Sequence, residues 1–255
     1  MRVVLGALWM ITTLSLAAPT PLRFAISDSW AMPMVQIDGD QPTQGILYDL
    51  MLSLANQVGH PAQFQVLARA RIAPAMEHGE IDVRCYVTQA WLNNLSGDYV
   101  WSIPLWVQRN VLVSAHVPPL SVNVTKLAAQ SIGTVLNYSY PTLEPLFATG
   151  QLKRDDARSE EQVLHKLVAG RFKYAITNEW TLERFNQQFP KGPGLHVVAV
   201  IEEQSLGCYV RNDPALPVQR ILRTLLRMKM SGEVDDIIGL YTGDRKQPPQ
   251  PSPAP

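Results

Sequence analysis

The stretch Ile72-Ala-Pro-Ala-Met-Glu-His-Gly79-Glu-Ile-Asp-Val83 reads as a short helix, a glycine stop and the start of a strand. Ile72 to Glu77 is the helix, Gly79 ends it, and Ile81 to Val87 is the strand. The same phrase returns in the second half of the chain. Ser159-Glu-Glu-Gln162 is a capping box, with Ser159 as N-cap and Gln162 three residues on. Val163, Leu164, Leu167 and Val168 give that helix its apolar face, Gly170 ends it, and Phe172 to Ile176 is the next strand. One helix–glycine–strand phrase in each half argues for two α/β lobes of similar plan. A single larger parallel sheet is the alternative.

Before the first phrase, Leu22 to Ile26 is a strand and Ser27 to Met34 a loop. Gly45 follows a turn-prone stretch from Asp38 to Thr43. Ile46, Leu47, Leu50, Met51, Leu54 and Val58 then recur at helical spacing, and Gly59 suits a left-handed C-cap. Phe64 to Leu67 is the second strand. Strand, helix, strand, helix, strand is the order of a parallel sheet covered on its faces. After Pro104, Arg109 to Ala115 and Ser131 to Leu136 are strands, and Thr177 or Asn178 caps a helix towards Phe185. Pro217 to Met230 is a helix carrying Ile221, Leu222, Leu225 and Leu226. Ser231-Gly232 breaks it, and Val234, Ile237, Ile238 and Leu240 form a last short helix before Gly243.

The two ends read differently. Arg2 precedes an apolar run from Val3 to Ala18 that closes on Ser15-Leu-Ala-Ala18. This is the pattern of a signal peptide, residues 1–18, cleaved after Ala17 or Ala18. The run is shorter than the roughly 20 residues that span a bilayer. The expected location is therefore the periplasm, where Cys85 and Cys208 are free to pair; two buried thiols are the alternative. Residues 245–255 end in Gln247-Pro-Pro-Gln-Pro-Ser-Pro-Ala-Pro255, which reads as a polyproline-like, disordered and inert tail, with a ligand for a proline-reading partner as the alternative.

Lys+Arg and Asp+Glu both total 22, so no basic excess points to nucleic acid or anionic lipid. The histidines show no paired metal spacing, and no nucleophile elbow, P-loop or dinucleotide fingerprint occurs. These patterns lead to the expectation of no cofactor, no metal site and no catalytic set.

Several ordered motifs then resemble the family-3 solute-binding proteins, the polar amino-acid binders of bacterial ABC importers. They are Gly45-Ile-Leu-Tyr-Asp49-Leu with Leu54-Ala55 and Gly59; Arg71 with Ala75-Met76 and Gly79-Glu-Ile-Asp82-Val; Tyr99-Val-Trp-Ser102-Ile-Pro104; Gly207 to Pro214; and Met230-Ser-Gly232 with Ile237. The resemblance runs from about Leu22 to Asp244. It implies a periplasmic-binding-protein-like (type II) fold, two α/β lobes joined by a two-strand hinge, closing on a small polar ligand. Residues 19–105 and 207–244 would form lobe one, and 106–206 lobe two. It also implies that the strand holding Cys85 lies beside the returning strand holding Cys208. The partners implied are a small polar ligand and a membrane permease or sensor, with the protein a monomer.

By the same resemblance, Asp28 and Trp30 face the cleft from the loop after the first strand. Arg69 and Arg71 follow the second strand, and Thr88 and Gln89 end the third. Asn137, Tyr138 and Ser139 follow the strand Ser131–Leu136 and open a helix whose N-terminal amides attract anions. Asn178 stands where many members carry an Asp for a ligand ammonium. The stretch Thr88-Gln-Ala-Trp91-Leu-Asn-Asn-Leu95 lacks the Arg that pairs with an amino acid's carboxylate in the family, which argues for a divergent ligand rather than a standard α-amino acid unless Arg69 substitutes. Some relatives on the scaffold are cyclohexadienyl dehydratases. That reading needs an acid beside a cleft Arg, and Glu179 or Asp28 would have to serve. Ligand sensing without transport is the other alternative.

Overall fold

The computed structural model describes residues 19–92, 97–116, 121–189 and 194–243. The expected signal peptide and proline-rich tail lie outside the described residues. The strands, in chain order, are β1 (Leu22–Ser27), β2 (Gln36–Asp38), β3 (Gln41–Gln44), β4 (Ala62–Leu67), β5 (Val83–Val87), β6 (Tyr99–Trp101), β7 (Trp106–Ser114), β8 (Gln130–Val135), β9 (Leu152–Ala157), β10 (Ala175–Asn178) and β11 (His196–Arg211). The helices are α1 (Ile46–Val58), α2 (Arg69–Glu77), α3 (Glu144–Ala148), α4 (Glu160–Val168), α5 (Glu179–Gln188), α6 (Val218–Met230) and α7 (Glu233–Thr242).

One strand organises the molecule. The first part of β11, from His196 to Leu206, pairs antiparallel with β7. Its last residues, Gly207 to Arg211, pair instead with β5 and β6. On one side of this switch the order is β4-β1-β5-β11, with β1 parallel to β4 and β5. On the other it is β11-β7-β10-β8-β9, with β8 parallel to β9 and β10. The hydrogen-bonded path is continuous, yet the cores are separate. In the first lobe α1, α6 and α7 bury Leu47, Leu50, Leu54, Ile221, Leu225 and Ile238 on one sheet face, and α2 buries Ile72 and Met76 on the other. In the second, α4 and α5 bury Val163, Leu164, Leu167 and Phe185 against Val111, Val113 and Val135. Separate apolar clusters on either side of the shared strand make two lobes, and the antiparallel pairs β7–β10, β5–β11 and β7–β11 exclude the single larger parallel sheet.

The connection between β6 and β7 crosses beside β11, and the two crossings touch. Ser102 Oγ accepts from the Cys208 amide at 2.9 Å and donates to the Ile103 carbonyl at 2.7 Å. A Cβ on Gly207 would meet Ser102 Oγ at 2.8 Å and the Ile103 oxygen at 3.0 Å, so only glycine lets the crossings approach this closely. Cys85 and Cys208, cross-strand partners at this point, form a disulfide. Asp82, 1% exposed, clamps the start of β5. It accepts from Arg23 at 2.6 and 2.9 Å and from Arg211 at 2.9 Å. These guanidinium groups and the Arg23 amide outweigh burial and hold its carboxyl below the usual carboxylate range.

Local sequence accounts for most boundaries. Gly59 ends α1 at φ 80°, and Asn178 caps α5 by accepting from the Thr181 amide at 2.8 Å. Ser159 accepts from the Gln162 amide, while the Gln162 side chain returns to the Arg158 amide rather than to that of Ser159. Two readings change. No helix opens at Asn137-Tyr-Ser139: Asn137 takes φ 62°, turns follow, and α3 begins only at Glu144. The expected ring of helix N-terminal amides is therefore not formed there. The edge strand β9, Leu-Lys-Arg-Asp-Asp-Ala, was not anticipated, because only Leu152 in it is buried and its composition is that of a solvated edge.

Candidate functional site

Between the lobes, Trp30, Arg69, Tyr86 and Trp91 from the first and Gln108, Asn110, Tyr138, Ser139 and Glu160 from the second enclose a cavity. The space open to the centre of a water molecule is about 20 Å³, room for about one water, so the cleft is closed.

A local device aims each aromatic side chain. Across β5 and β11, Val87 pairs with Gly207 and Cys85 with Cys208, so Tyr86 is an extra residue in a β-bulge. Its φ of 61°, rare for a bulky side chain, puts the ring on the cavity side rather than the side its neighbour Arg84 occupies. There it meets Trp30 edge-on at 5.4 Å and Trp91 at 6.0 Å. Trp91 is brought in by the 3-10 turn Gln89–Trp91 that follows β5. From the other lobe, the reversal at Asn137 presents Tyr138, whose hydroxyl accepts from Ser29 Oγ at 3.3 Å. The Arg69 guanidinium, on the first residue of α2, lies over the Tyr138 ring at 5.3 Å.

Arg69 makes no ion pair with any described carboxylate; its partner is the Tyr138 ring. Burial, with a smaller contribution from the Arg84 guanidinium, lowers its pKa to about 10, so it stays charged at neutral pH. Arg84 is 2% exposed, donates from Nη1 to the Tyr209 hydroxyl at 3.3 Å, and leaves Nε without a protein partner. Arg69 is thus the cationic group on the cavity, and Arg84 lies behind it against Tyr209.

The cavity's acid comes across the cleft. Glu160 is 5% exposed and accepts on Oε2 from Asn178 Nδ2 at 2.7 Å and Thr181 Oγ1 at 2.9 Å. Burial raises its carboxyl pKa, and these hydrogen bonds oppose the shift. Burial, and then the Glu160 charge, likewise raise the pKa of both Tyr86 and Tyr138, which remain neutral phenols. Trp30 Nε1 and Trp91 Nε1, both donors, and Gln108 Oε1, an acceptor, are buried at the cavity without protein partners. Buried polar groups of this kind are normally matched by something, so the cavity lining offers both unpartnered donors and an unpartnered acceptor.

Of the residues expected in the cleft, Trp30, Arg69, Tyr138 and Ser139 line the cavity. Asp28, Arg71, Gln89 and Asn137 are exposed and outside it, and Thr88 caps the 3-10 turn without lining it. Asn178 is fully buried and occupied in capping α5 and holding Glu160. The sequence reading missed Tyr86, Trp91, Gln108, Asn110 and Glu160. Glu160 was legible only as the first residue of a capped helix. Tyr86 carries no signal, since a bulge is invisible in a strand's composition. Glu179, a candidate acid for catalysis, lies outside the cavity and pairs with Arg109 at 3.8 Å.

No protein-family model matches the sequence, and no curated protein matches it. Solved structures match along most of its length. An ancestral arginine-binding protein bound to glutamine is 19% identical with a TM-score of 0.70, covering 89% of this chain and 100% of that one. The ligand-binding core of GluR0 in complex with L-glutamate is 16% identical with a TM-score of 0.72, covering 89% and 100%. A histidine kinase sensor domain with similarity to periplasmic binding proteins is 17% identical with a TM-score of 0.69, covering 88% and 97%. Among the described residues no helix is long and apolar enough to cross a membrane. The chain has the bilobed α/β fold of the family-3 solute-binding proteins, two lobes on a two-strand hinge.

Proposed function

We propose that the chain is an exported solute-binding protein whose cleft closes on a small zwitterion and catalyses no reaction. The observation that carries this reading is Arg69: a charged guanidinium on the cavity with no carboxylate of its own lobe to neutralise it. A ligand carboxylate would take Arg69, with the indole N–H groups of Trp30 and Trp91 as further donors. Its ammonium group would take Glu160 and the Gln108 carbonyl. The negative charge sits on the helix residue Glu160 rather than on the strand end, where Asn178 is neutral and positions it. Leaving either charge unpaired in the closed cleft would cost several kcal/mol, of order 3–5, so an uncharged solute fits poorly.

Residues 19–105 and 207–244 are assigned to the first lobe and 106–206 to the second, with closure as a rotation about the crossings at Ser102–Leu105 and Gly207. Ligand-driven closure delivers solute to a membrane permease of the ABC type in the periplasm; the same closure would serve a sensor. A thermal-shift screen of the full chain against amino acids, polyamines and organic acids tests the reading. A ligand at 100 times its Kd stabilises the fold by about 2.7 kcal/mol. Stabilisation by a zwitterion supports the proposal, and a fold that responds only to neutral solutes contradicts it.

A further inference from the structure

A second concavity lies outside the ligand cavity, and the hollow that adjoins it meets that cavity at Gln108. Pro104 and Leu105 of the hinge crossing, Val107 of β7, Trp180 on α5, and Ile238 and Thr242 on α7 line it. It holds about 410 Å³. An adjoining hollow of about 220 Å³ shares Val107 and Trp180, so the two form one groove across the lobes. Val107 is 50% exposed, and the Trp180 ring is only partly buried against the first lobe's core.

We propose that this groove is the docking site of the chain's own proline-rich C-terminal segment, residues 244–255. Three observations name the occupant. Thr242, which lines the groove, is two residues before the segment begins, so the segment leaves from the groove's rim. The segment carries Pro248, Pro249, Pro251, Pro253 and Pro255, a sequence that favours the polyproline II helix. Such helices dock on apolar grooves with exposed aromatic rings, at little entropic cost because they are already extended. At a rise of about 3.1 Å per residue the segment reaches far enough to pass Trp180. The charges also suit it. The rim carries Asp235, Glu179 and Glu203 against Lys229 and Arg109, and the segment opens with Arg245 and Lys246. Tethering supplies an effective concentration of order millimolar, so weak intrinsic affinity suffices. The inference does not depend on the ligand proposed above.

The test compares the full chain with a variant of the same length in which Pro248, Pro249, Pro251 and Pro253 are all changed to Ser. Indole resonances are followed by NMR in 5-fluorotryptophan-labelled protein, with that of Trp180 assigned by its loss in Trp180→Phe. The Trp180 resonance should shift on substitution. A synthetic peptide of residues 244–255 should return it saturably in the variant and leave the unsubstituted chain unmoved. An unmoved Trp180 resonance overturns the proposal, as does a variant that fails to respond to peptide up to ~5 mM, a concentration at the tethered scale. An unsubstituted chain that takes up the peptide as readily as the variant also overturns it, since the groove would then be open to a separate partner.

Discussion

The Arg69 guanidinium lies 5.3 Å from the centre of the Tyr138 ring, so a cation of the first lobe rests on an aromatic face of the second. With the Ser29–Tyr138 hydrogen bond, it ties the lobes together through protein groups alone. The Tyr138 side chain therefore sets part of the balance between open and closed cleft.

Replacing Tyr138 separates the two ties. Tyr138→Phe removes only the hydroxyl bond, worth about 0.5–1.5 kcal/mol, and keeps the ring under Arg69. Tyr138→Leu also removes the cation–π contact, worth about 0.5–2 kcal/mol. Small-angle scattering without ligand should show a larger radius of gyration in the order wild type, Phe, Leu. Equal radii would remove Tyr138 from the closing contact.

Glu160 predicts a pH dependence. Its folded-state pKa is raised, because burial penalises the ionised carboxylate relative to the unfolded chain. The associated stability is full below the unfolded-state value and is lost as pH rises through the raised one. Glu160→Gln has no such titration. Urea denaturation of both proteins should show the variant gaining on wild type as pH rises from 4 to 7, and a constant difference would contradict the assignment.

Asp82 has the opposite sign. Its pKa is held down by Arg23 and Arg211, so its contribution is present above the usual aspartate range and disappears as pH falls through the depressed value. Asp82→Asn should cost about 3 kcal/mol at neutral pH, near the lower end for breaking a buried pair because both arginines are partly exposed. The loss should shrink in acid. Denaturation at two pH values checks both statements.

The disulfide closes a long loop. Cys85 and Cys208 are separated by 123 residues and join β5 to β11. Removing the crosslink with Cys85→Ala and Cys208→Ala together should lower stability by up to about 5 kcal/mol, the chain-entropy value for such a loop. A double variant as stable as the oxidised wild type would contradict this account.

The fold was legible because its signals are local and repeated. Gly59, Ser159 and Asn178 stand where the helices start or stop, and the helix–glycine–strand phrase occurs in both halves. Trp30 and Arg69 were legible because they follow strands whose ends meet in a cleft. The rest depends on contacts between distant segments. Tyr86 enters the cavity only because the β5–β11 pairing slips by one residue. Glu160 becomes a cleft acid only because Asn178 and Thr181, some twenty residues on, turn it inward. Arg84 read as part of an apolar strand, yet it is among the largest fully buried side chains. The helix expected at Asn137 failed because Asn137 took a left-handed turn, which asparagine tolerates as readily as a helix cap.

The most direct test of the ligand assignment is titration calorimetry of wild type and Arg69→Met with the amino acid that gives the largest thermal shift. Truncating one partner of a desolvated charge pair costs about 2 kcal/mol or more, so affinity should fall at least about 30-fold in the variant. Its stability without ligand should fall by no more than about 0.5–2 kcal/mol, the contact with the Tyr138 ring, because Arg69 has no carboxylate partner to lose. Equal affinities would show that Arg69 holds no anionic group, and the zwitterion reading of the cleft would fail with it.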